Sequence, residues 1–183
     1  MTARAGNPVR IVFIAGGVNV PATRFRVRPV EQAASDAGHE VRSIYGYGRL
    51  DSRIRMRLVQ RIYRLTCRLI RAIRTIFVSN ADVVFVQRLA IPFWSGPERI
   101  LAWRGVPVIF DFDDAVDLGS NWQRSRARTR ALSKMFESAD RIIAGNTWLA
   151  QKAGGLMERT MVVPTTIDVE TYRPSAYESR GAC

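Results

Sequence analysis

Four aspartates stand close together in the segment VPVIFDFDDAVD, which covers residues 106–117. Asp111, Asp113, Asp114 and Asp117 accompany a run of Val, Ile and Phe that is typical of a strand buried on both faces. Clustered carboxylates could act as a nucleophile, serve as a general acid or base, or hold Mg²⁺. Ligands of open α/β sheets gather at the carboxyl ends of the strands, so we expect these acids at the edge of a site.

Short apolar runs alternate with helical patterns along the whole chain. The alternation predicts an α/β fold with a doubly wound, mostly parallel sheet in a single Rossmann-like domain. We assign residues 1–163 to this domain and residues 164–183 to an interdomain hinge and a truncated tail. The expected strands around the central one cover residues 10–15, 40–44, 81–86, 139–144 and 161–163, and the expected helices cover 29–37, 53–77, 92–104, 120–138 and 147–153.

Gly16 and Gly17 follow the first predicted strand, where glycines let the backbone turn sharply and let a ligand approach the main chain. Their spacing matches neither GxGxxG nor GxxxxGK[ST], so the dinucleotide and Walker-type motifs are not indicated. Arg24 and Arg26 precede a helix that Pro29 would start, and guanidinium groups near a helix N-terminus could hold a phosphate or a sugar phosphate. The alternative is that these arginines lie on an ordinary surface loop.

The predicted helix over residues 53–77 separates arginines from apolar residues. At about 100° per residue its two sides are Arg57, Arg61, Arg64, Arg68 and Arg71, and opposite them Leu58, Ile62, Leu65, Leu69, Ile73 and Ile76. We expect the apolar side to pack on the sheet and the arginines to form an outward ridge that contacts an anionic membrane surface. The alternative is a solvated charged face. Few aromatics interleave with the arginines, so we expect no nucleic acid partner.

The amino-acid composition limits which partners and which cellular compartment we expect for the protein. A net charge of +12 over 183 residues favours anionic partners, and the apolar fraction of 47% is that of an ordinary globular domain. Two cysteines give neither a disulfide framework nor a metal spacing. We predict a cytoplasmic protein that is peripheral on the inner face of the membrane. The single histidine, His39, opens a strand at the end of the sheet opposite the expected site, which favours a structural role.

Several segments, taken in order, resemble the N-terminal domain of family 4 glycosyltransferases of the GT-B fold. They are the first strand running into GG, ATRFRVRPVEQAASDAGHEV, ADVVFVQR, VPVIFDFDDAV, ADRIIAGNTWLAQKA and VVPTTIDVETYRP. The resemblance covers nearly the whole chain and rests on the order and spacing of these pieces. It implies two Rossmann-like domains that face each other across a cleft. The first domain takes the acceptor, the second binds the nucleotide sugar, and a segment similar to VPTTID joins them.

The resemblance implies that this chain supplies the acceptor-binding half of a retaining hexosyltransferase acting on a sugar or lipid-linked acceptor, such as a membrane-associated or cell-envelope glycan. It places residues at the cleft floor and rim, namely Gly16, Gly17, Arg24 and Arg26 below and Asp113, Asp114 and Asn146 above. Many relatives carry a catalytic histidine where Asp113 and Asp114 stand, which leaves the base unassigned. We expect no metal and no cofactor in this chain. The donor would bind to a separate domain or chain, and this chain alone would be inactive.

Two alternatives come from other classes. The segment FDFDDAV also resembles the nucleophile motif of haloacid-dehalogenase-like phosphatases, with Asp111 attacking phosphorus, Asp113 as general acid and Mg²⁺ between carboxylates. That motif normally opens the first strand, whereas three predicted strands precede it here, and no paired acid motif follows Asp117. The other alternative is a non-catalytic half-transferase that binds an acceptor or a membrane.

Overall fold

The computed structural model describes residues 7–48, 56–115, 117–118 and 123–167. The strands are β1 (Arg10–Gly17), β2 (Glu40–Tyr47), β3 (Val83–Gln87), β4 (Val108–Phe112), β5 (Arg141–Ala144) and β6 (Thr160–Val162). The α-helices are α1 (Arg28–Asp36), α2 (Arg57–Ile76), α3 (Gly96–Trp103), α4 (Arg126–Ser138) and α5 (Thr147–Ala150). A π-helix, Thr23–Val27, leads into α1, and a 3-10 helix, Gln151–Arg159, follows α5. The predicted tail from residue 168 onward lies outside the described residues.

All six strands are parallel and stand in the order β2, β1, β3, β4, β5, β6. This confirms the predicted α/β fold with a doubly wound, Rossmann-like sheet. The chain first winds from β1 to β2 and then crosses back to place β3 on the other side of β1. In sheets of this kind, the crevice at the carboxyl ends of the two strands where the winding reverses is the usual ligand site. Here that position is the end of β1 and β3.

Successive residues of each strand point to opposite faces of the sheet, and each face has its own core. The larger core joins Phe110 and Phe112 of β4 to Phe136 of α4, with ring centroids of Phe112 and Phe136 5.1 Å apart. The smaller core joins Phe13 of β1 to Phe85 of β3, whose ring centroids lie 5.3 Å apart. Residues buried on both faces explain why the strands are continuous apolar runs.

The segment before α1 is helical rather than the predicted loop. The backbone N–H of Arg28 donates to the carbonyl of Thr23, five residues earlier, which defines the π-turn. Pro29 next to it has no N–H, so the regular hydrogen-bond ladder is interrupted at this point in any case. Gly16 and Gly17 likewise lie within the end of β1 and not in a turn after it. The π-turn is a rare feature that occurs often at functional sites.

Helix α2 has the opposite orientation to the one predicted. Its buried residues are Arg71, Ala72 and Thr75, whereas its apolar stripe is exposed. The exposed members include Leu58, Val59, Ile62, Leu65, Leu69, Ile70 and Ile73, each at least 44% accessible. The small residues Ala72 and Thr75 let the helix approach β2 and α3 closely, and the long Arg71 side chain reaches into the protein beside them. The prediction that the leucine and isoleucine face packs on the sheet is therefore wrong.

The prediction of an outward arginine ridge is wrong in part. Arg57, Arg61 and Arg68 are exposed, but Arg71 is buried, and the Arg64 guanidinium lies over the ring of Tyr47, 6.0 Å from its centroid. None of the helices in the described residues combines the length and the apolar character that a membrane crossing requires.

His39 lies at the amino end of the sheet, directly before β2. Its Nδ1 accepts a hydrogen bond from the backbone N–H of Val9, 3.4 Å away. This position, remote from the carboxyl ends of the strands, agrees with the predicted structural role.

Candidate functional site

A cavity of about 330 Å³ opens at the carboxyl ends of β1 and β3. Gly16 of β1 and Gln87 of β3 line it from the sheet, and Gly46 and Tyr47 line it from the end of β2. Helices α2 and α4 and the loops after β3 and β4 complete the wall with Arg68, Arg71, Arg128, Leu132, Arg88, Leu89, Ala90, Pro92, Asp114, Ala115 and Leu118. The volume lies in the range of small-molecule sites, and the position is the one that the topology predicts.

Two residues of the cavity wall, Gln87 and Arg71, carry buried polar atoms without a partner, and Thr23 carries another beside Gly16. Among the described residues, no hydrogen-bond partner exists for either amide atom of Gln87, for Oγ1 of Thr23 or for Nε of Arg71. All three residues are at most 4% exposed. A buried polar group left without a hydrogen bond costs on the order of 1–3 kcal/mol, so a group of them in one place calls for a ligand or ordered water. The cavity is where such a ligand would fit.

Gly16 brings these groups together. A side chain added at Gly16 would place its first carbon 3.9 Å from Oγ1 of Thr23 and 4.0 Å from Oε1 of Gln87. The glycine therefore leaves open the space between the two unpartnered groups. Gly17 has a different role, because the ring of Tyr47 lies where its side chain would be, 2.1 Å from the added carbon.

Arg71 enters the cavity wall from α2. Its Nη1 donates to the carbonyl of Ala15 at 2.6 Å, which fixes the guanidinium against the end of β1. Burial lowers the pKa of Arg71 to about 10, so the group stays protonated at neutral pH. Among the described residues, no carboxylate lies within 4.0 Å of it. The cavity therefore contains a buried cation with no ion-pair partner in the described part of the chain.

Glu98 is the carboxylate whose charge acts most strongly on Arg71. It is fully buried in the first turn of α3, and its Oε1 accepts from the backbone N–H of Ala90 at 2.7 Å. Burial raises the pKa of Glu98, and its Oε2 has no hydrogen-bond partner among the described residues. Glu98 does not line the cavity, so it supports the loop after β3 from behind.

Arg26 joins the end of β4 to the segment that follows β6. It comes from the π-helix, is buried, and donates from Nε to Oδ2 of Asp111 at 3.0 Å and from Nη2 to Oδ1 of the same carboxylate. Its Nη1 donates to the carbonyl of Val163 at 2.8 Å and to Oγ1 of Thr165 at 3.2 Å. Burial lowers the pKa of Arg26, but its hydrogen bonds to Asp111 outweigh this effect, and the net shift is upward. The arginine thus acts as a structural clamp.

The remaining aspartates also have cationic partners. Arg88 donates to Oδ1 of Asp113 at 2.8 and 3.2 Å from Nη2 and Nε, and it also contacts Asp114. The backbone of Arg88 has a φ of 62°, in the left-handed region that costs an arginine about 1 kcal/mol or more and occurs often at functional sites. Asp114 is the exposed acid of this pair and lines the cavity.

Asp117 accepts two hydrogen bonds from Nζ of Lys152, at 2.7 and 2.9 Å. With Arg26 on Asp111 and Arg88 on Asp113, this leaves Asp114 as the most accessible acid of the four. No grouping of three or more His, Cys, Asp or Glu side chains suited to a metal ion occurs in the described residues. Both oxygens of Asp111 bond to Arg26, which disfavours its use as a phosphatase nucleophile.

Two other predicted residues do not line the cavity. Oδ1 of Asn146 accepts from the backbone N–H of Leu149 at 2.8 Å, so its side chain caps α5. Arg24 is exposed, and its guanidinium lies 5.3 Å from the centroid of the Phe25 ring. Of the predicted acceptor-binding residues, only Gly16 lies on the cavity wall, while Arg26 and Gly17 support it.

Neither Gln87 nor Thr23 was among the predicted site residues, and Arg71 was predicted to face outward but is buried. Gln87 could have been found, because it ends a buried strand in the same way that Asp111 does and would lie at the same edge of the sheet. Thr23 carried no comparable signal, since the helical path that buries it was predicted as a loop. In comparisons with known proteins, neither a family model nor a curated protein sequence matches this chain.

Proposed function

We propose that this chain is the acceptor-binding half of a nucleotide-sugar-dependent, retaining glycosyltransferase of the GT-B type, similar to family 4. The observation that carries the proposal is the cavity at the carboxyl ends of β1 and β3, where Gln87 and Arg71 hold unpartnered polar atoms on the wall. Groups of this kind bind and orient hydroxyl and anionic groups of a substrate. The order of the sequence segments that resemble this family supports the same conclusion.

On this proposal, each group has a role in holding the acceptor. The amide of Gln87 binds acceptor hydroxyls, and Arg71 binds an electronegative group at the inner end. Asp114 lines the cavity and is the exposed acid of the cluster, so it is the candidate that could reach an acceptor hydroxyl. Asp113 accepts a hydrogen bond from Arg88, and this contact fixes the position of the Arg88 side chain.

The donor would be bound by a second domain facing this cavity. Glycosyl transfer requires donor and acceptor to be fixed together, and such positioning can supply about 7–11 kcal/mol of the barrier. Arg26 bonds the exit segment at Val163 and Thr165 to the carboxyl edge of the sheet, and this contact would hold a following domain next to the cavity. The chain alone is therefore expected to bind acceptor without transferring sugar.

The test is a transfer assay with labelled nucleotide sugars and a panel of sugar and lipid-linked acceptors. It compares the purified chain with the chain co-expressed with the polypeptide encoded directly downstream. We expect transfer only in the second case and loss of transfer with Gln87→Leu. Transfer by the purified chain alone would overturn the division into halves. Mg²⁺-dependent phosphate release that is lost with Asp111→Asn would instead establish the phosphatase alternative.

We also propose that the exposed side of α2 contacts an anionic membrane surface. The surface consists of the apolar stripe of α2 flanked by the exposed Arg57, Arg61 and Arg74. An apolar stripe between basic residues is the pattern of helices that lie in a membrane interface, and each arginine near an anionic surface contributes about 1 kcal/mol. The net charge of +12 favours the same partner. The apolar residues, rather than the predicted arginine ridge, form the centre of this surface.

Co-sedimentation with vesicles tests the membrane surface. We expect binding to anionic vesicles, weak binding to neutral ones, and a decline with salt. Leu65→Glu should weaken binding, whereas Val30→Glu, an exposed apolar residue on α1, should leave it unchanged. Equal binding of Leu65→Glu and the unaltered chain would contradict the proposal.

A further inference from the structure

The cavity carries more positive charge than its own acids balance. Arg68, Arg71, Arg88 and Arg128 line it, against the single carboxylate of Asp114. Arg88 already contacts Asp113 and Asp114. Arg128 donates to the carbonyl of Leu118 at 2.9 Å, which fixes its position without neutralising its charge. Three guanidinium groups therefore face the cavity without an ion pair to a described residue.

Arg71, which is buried, is the most informative of these three guanidinium groups. Arg71 is 4% exposed, its Nε has no partner among the described residues, and its closest electrostatic counterpart, Glu98, does not line the cavity. A buried charge is costly unless it is paired, so a guanidinium kept here at the wall of a cavity is suited to an anion that arrives from solution. Arginine matches the oxygens of phosphate and carboxylate groups with paired N–H donors.

We infer that the cavity is a binding site for a phosphate group of the acceptor. Three cations match the charge of a phosphate monoester, about −2 at neutral pH, better than the single charge of a carboxylate. The amide of Gln87, on the same wall, then binds the sugar or polyol attached to that phosphate. The inference deepens the proposed function and rests on it only for the use of this ligand as an acceptor.

Calorimetric titration of the full chain tests the inference without any donor. The first probe is inorganic phosphate, followed by glucose 1-phosphate as a soluble ester and glucuronate as a carboxylate. We expect phosphate and the ester to bind and glucuronate to bind at least tenfold more weakly. Vesicles containing phosphatidate form a further arm, because a lipid headgroup could supply the same phosphate. A preference for these vesicles that soluble glucose 1-phosphate cannot compete away would assign the phosphate to a lipid.

Variants of two arginines on the same helix separate the cavity from the general charge of the protein. Both Arg68 and Arg61 are exposed on α2, but only Arg68 lines the cavity. We expect Arg68→Gln to weaken phosphate binding about tenfold or more and Arg61→Gln to leave it within about twofold, because a charge-assisted hydrogen bond contributes a factor of this size. Arg128→Gln, on α4, should behave like Arg68→Gln. Arg71→Lys should retain folding and weaken binding.

Absence of phosphate binding to the unaltered chain would overturn the inference, as would equal losses in Arg68→Gln and Arg61→Gln. Tighter binding of glucuronate than of glucose 1-phosphate would also contradict it. These results are distinguishable from failure of the proposed function. Phosphate binding at the cavity without glycosyl transfer in the co-expressed assembly would contradict the proposed transferase function and support the phosphate site. Transfer to uncharged acceptors without phosphate binding would support the transferase function and contradict the phosphate site.

Discussion

The acidic turn after β4 and the cavity beside it differ in how completely their polar groups are satisfied. In the turn, Arg26 neutralises Asp111 with a hydrogen bond of 3.0 Å from Nε, and Arg88 neutralises Asp113 with one of 2.8 Å from Nη2. On the cavity wall, Gln87 and Arg71 keep buried atoms without partners in the described part of the chain. Residue types that suggest chemistry can thus serve structure, while less conspicuous residues nearby are left open for a ligand. The hydrogen-bond and ion-pair partners of a side chain therefore indicate its role better than its residue type does.

The largest expected effect is a loss of stability when Arg26 is replaced. Arg26→Met should lower the free energy of unfolding by about 3–5 kcal/mol, because it leaves the buried Asp111 carboxylate without its cation. Chemical denaturation measures this loss. Arg24→Met, two residues earlier on the exposed side, should change the free energy by less than about 0.5 kcal/mol. The double variant Arg26→Met with Asp111→Leu should regain much of the loss, and a loss equal to that of the single variant would contradict the account.

A substitution in the cavity wall should have the opposite effect on stability. Gln87→Met removes a buried amide that has no partner among the described residues, so the free energy of unfolding should stay the same or rise by about 1 kcal/mol. The same denaturation experiment measures it, and binding of glucose 1-phosphate should fall in parallel. A destabilisation of more than about 2 kcal/mol would show that the amide supports the fold, and the contrast with the acidic turn would fail.

Glu98 provides a pH-dependent comparison. Burial raises its folded-state pKa above the ordinary value, so the folded protein holds this proton more tightly than the unfolded chain does. Its contribution to stability is therefore fully present below pH 4.5 and is lost as pH rises through the raised pKa. Glu98→Gln should be more stable than the unaltered chain at pH 7 by on the order of 1 kcal/mol, and this advantage should shrink toward pH 4. An advantage that does not vary with pH would contradict the prediction.

The smallest effect is expected at an exposed pair on the amino-terminal edge of the sheet. Nη2 of Arg10 lies 2.7 Å from Oδ1 of Asp82, and hydrogen bonds from Arg10 lower the pKa of Asp82 to about 2. Because the folded-state pKa is depressed, the stabilisation is present above the ordinary value of 3.8 and disappears as pH falls through about 2. Carboxyl-carbon NMR should show this titration, and Arg10→Gln should raise the pKa toward the ordinary range, because the guanidinium contacts are lost while the hydrogen bond from the backbone N–H of residue 10 remains. An unchanged titration in the variant would contradict the assignment.

Much of the fold could be predicted because it depends on local patterns. Continuous apolar runs and helical spacing predicted the parallel, doubly wound sheet, and the central acid-rich strand was placed correctly at β4. The orientation of α2 could not be predicted in the same way. Periodicity shows that a helix has two different faces, but which face is buried depends on how closely the helix can approach its neighbours. Here Ala72 and Thr75 decided that approach against the larger apolar stripe.

The candidate site was predicted at the correct edge of the sheet but with only part of its residues. Gly16 and the acid cluster follow from their positions at strand ends. The pairing of Arg26 with Asp111 joins residues 85 positions apart, so it depends on the folded path of the chain. The same holds for Arg71, whose guanidinium reaches the end of β1 from another element. Sequence spacing therefore indicated the edge of the sheet at which the candidate cavity lies, and the fold determines which residues line it.

The most direct test is NMR mapping of phosphate on the isotope-labelled chain. The account predicts that saturating phosphate shifts the backbone amides of Gly16, Gln87 and Ala90 and the side chain of Arg71, and leaves Asp111, which Arg26 holds and which does not line the cavity, almost unchanged. Shifts centred on Arg26 and Asp111, or spread evenly over the exposed arginines of α2 and α4, would contradict the claim that the cavity at the ends of β1 and β3 is the functional site.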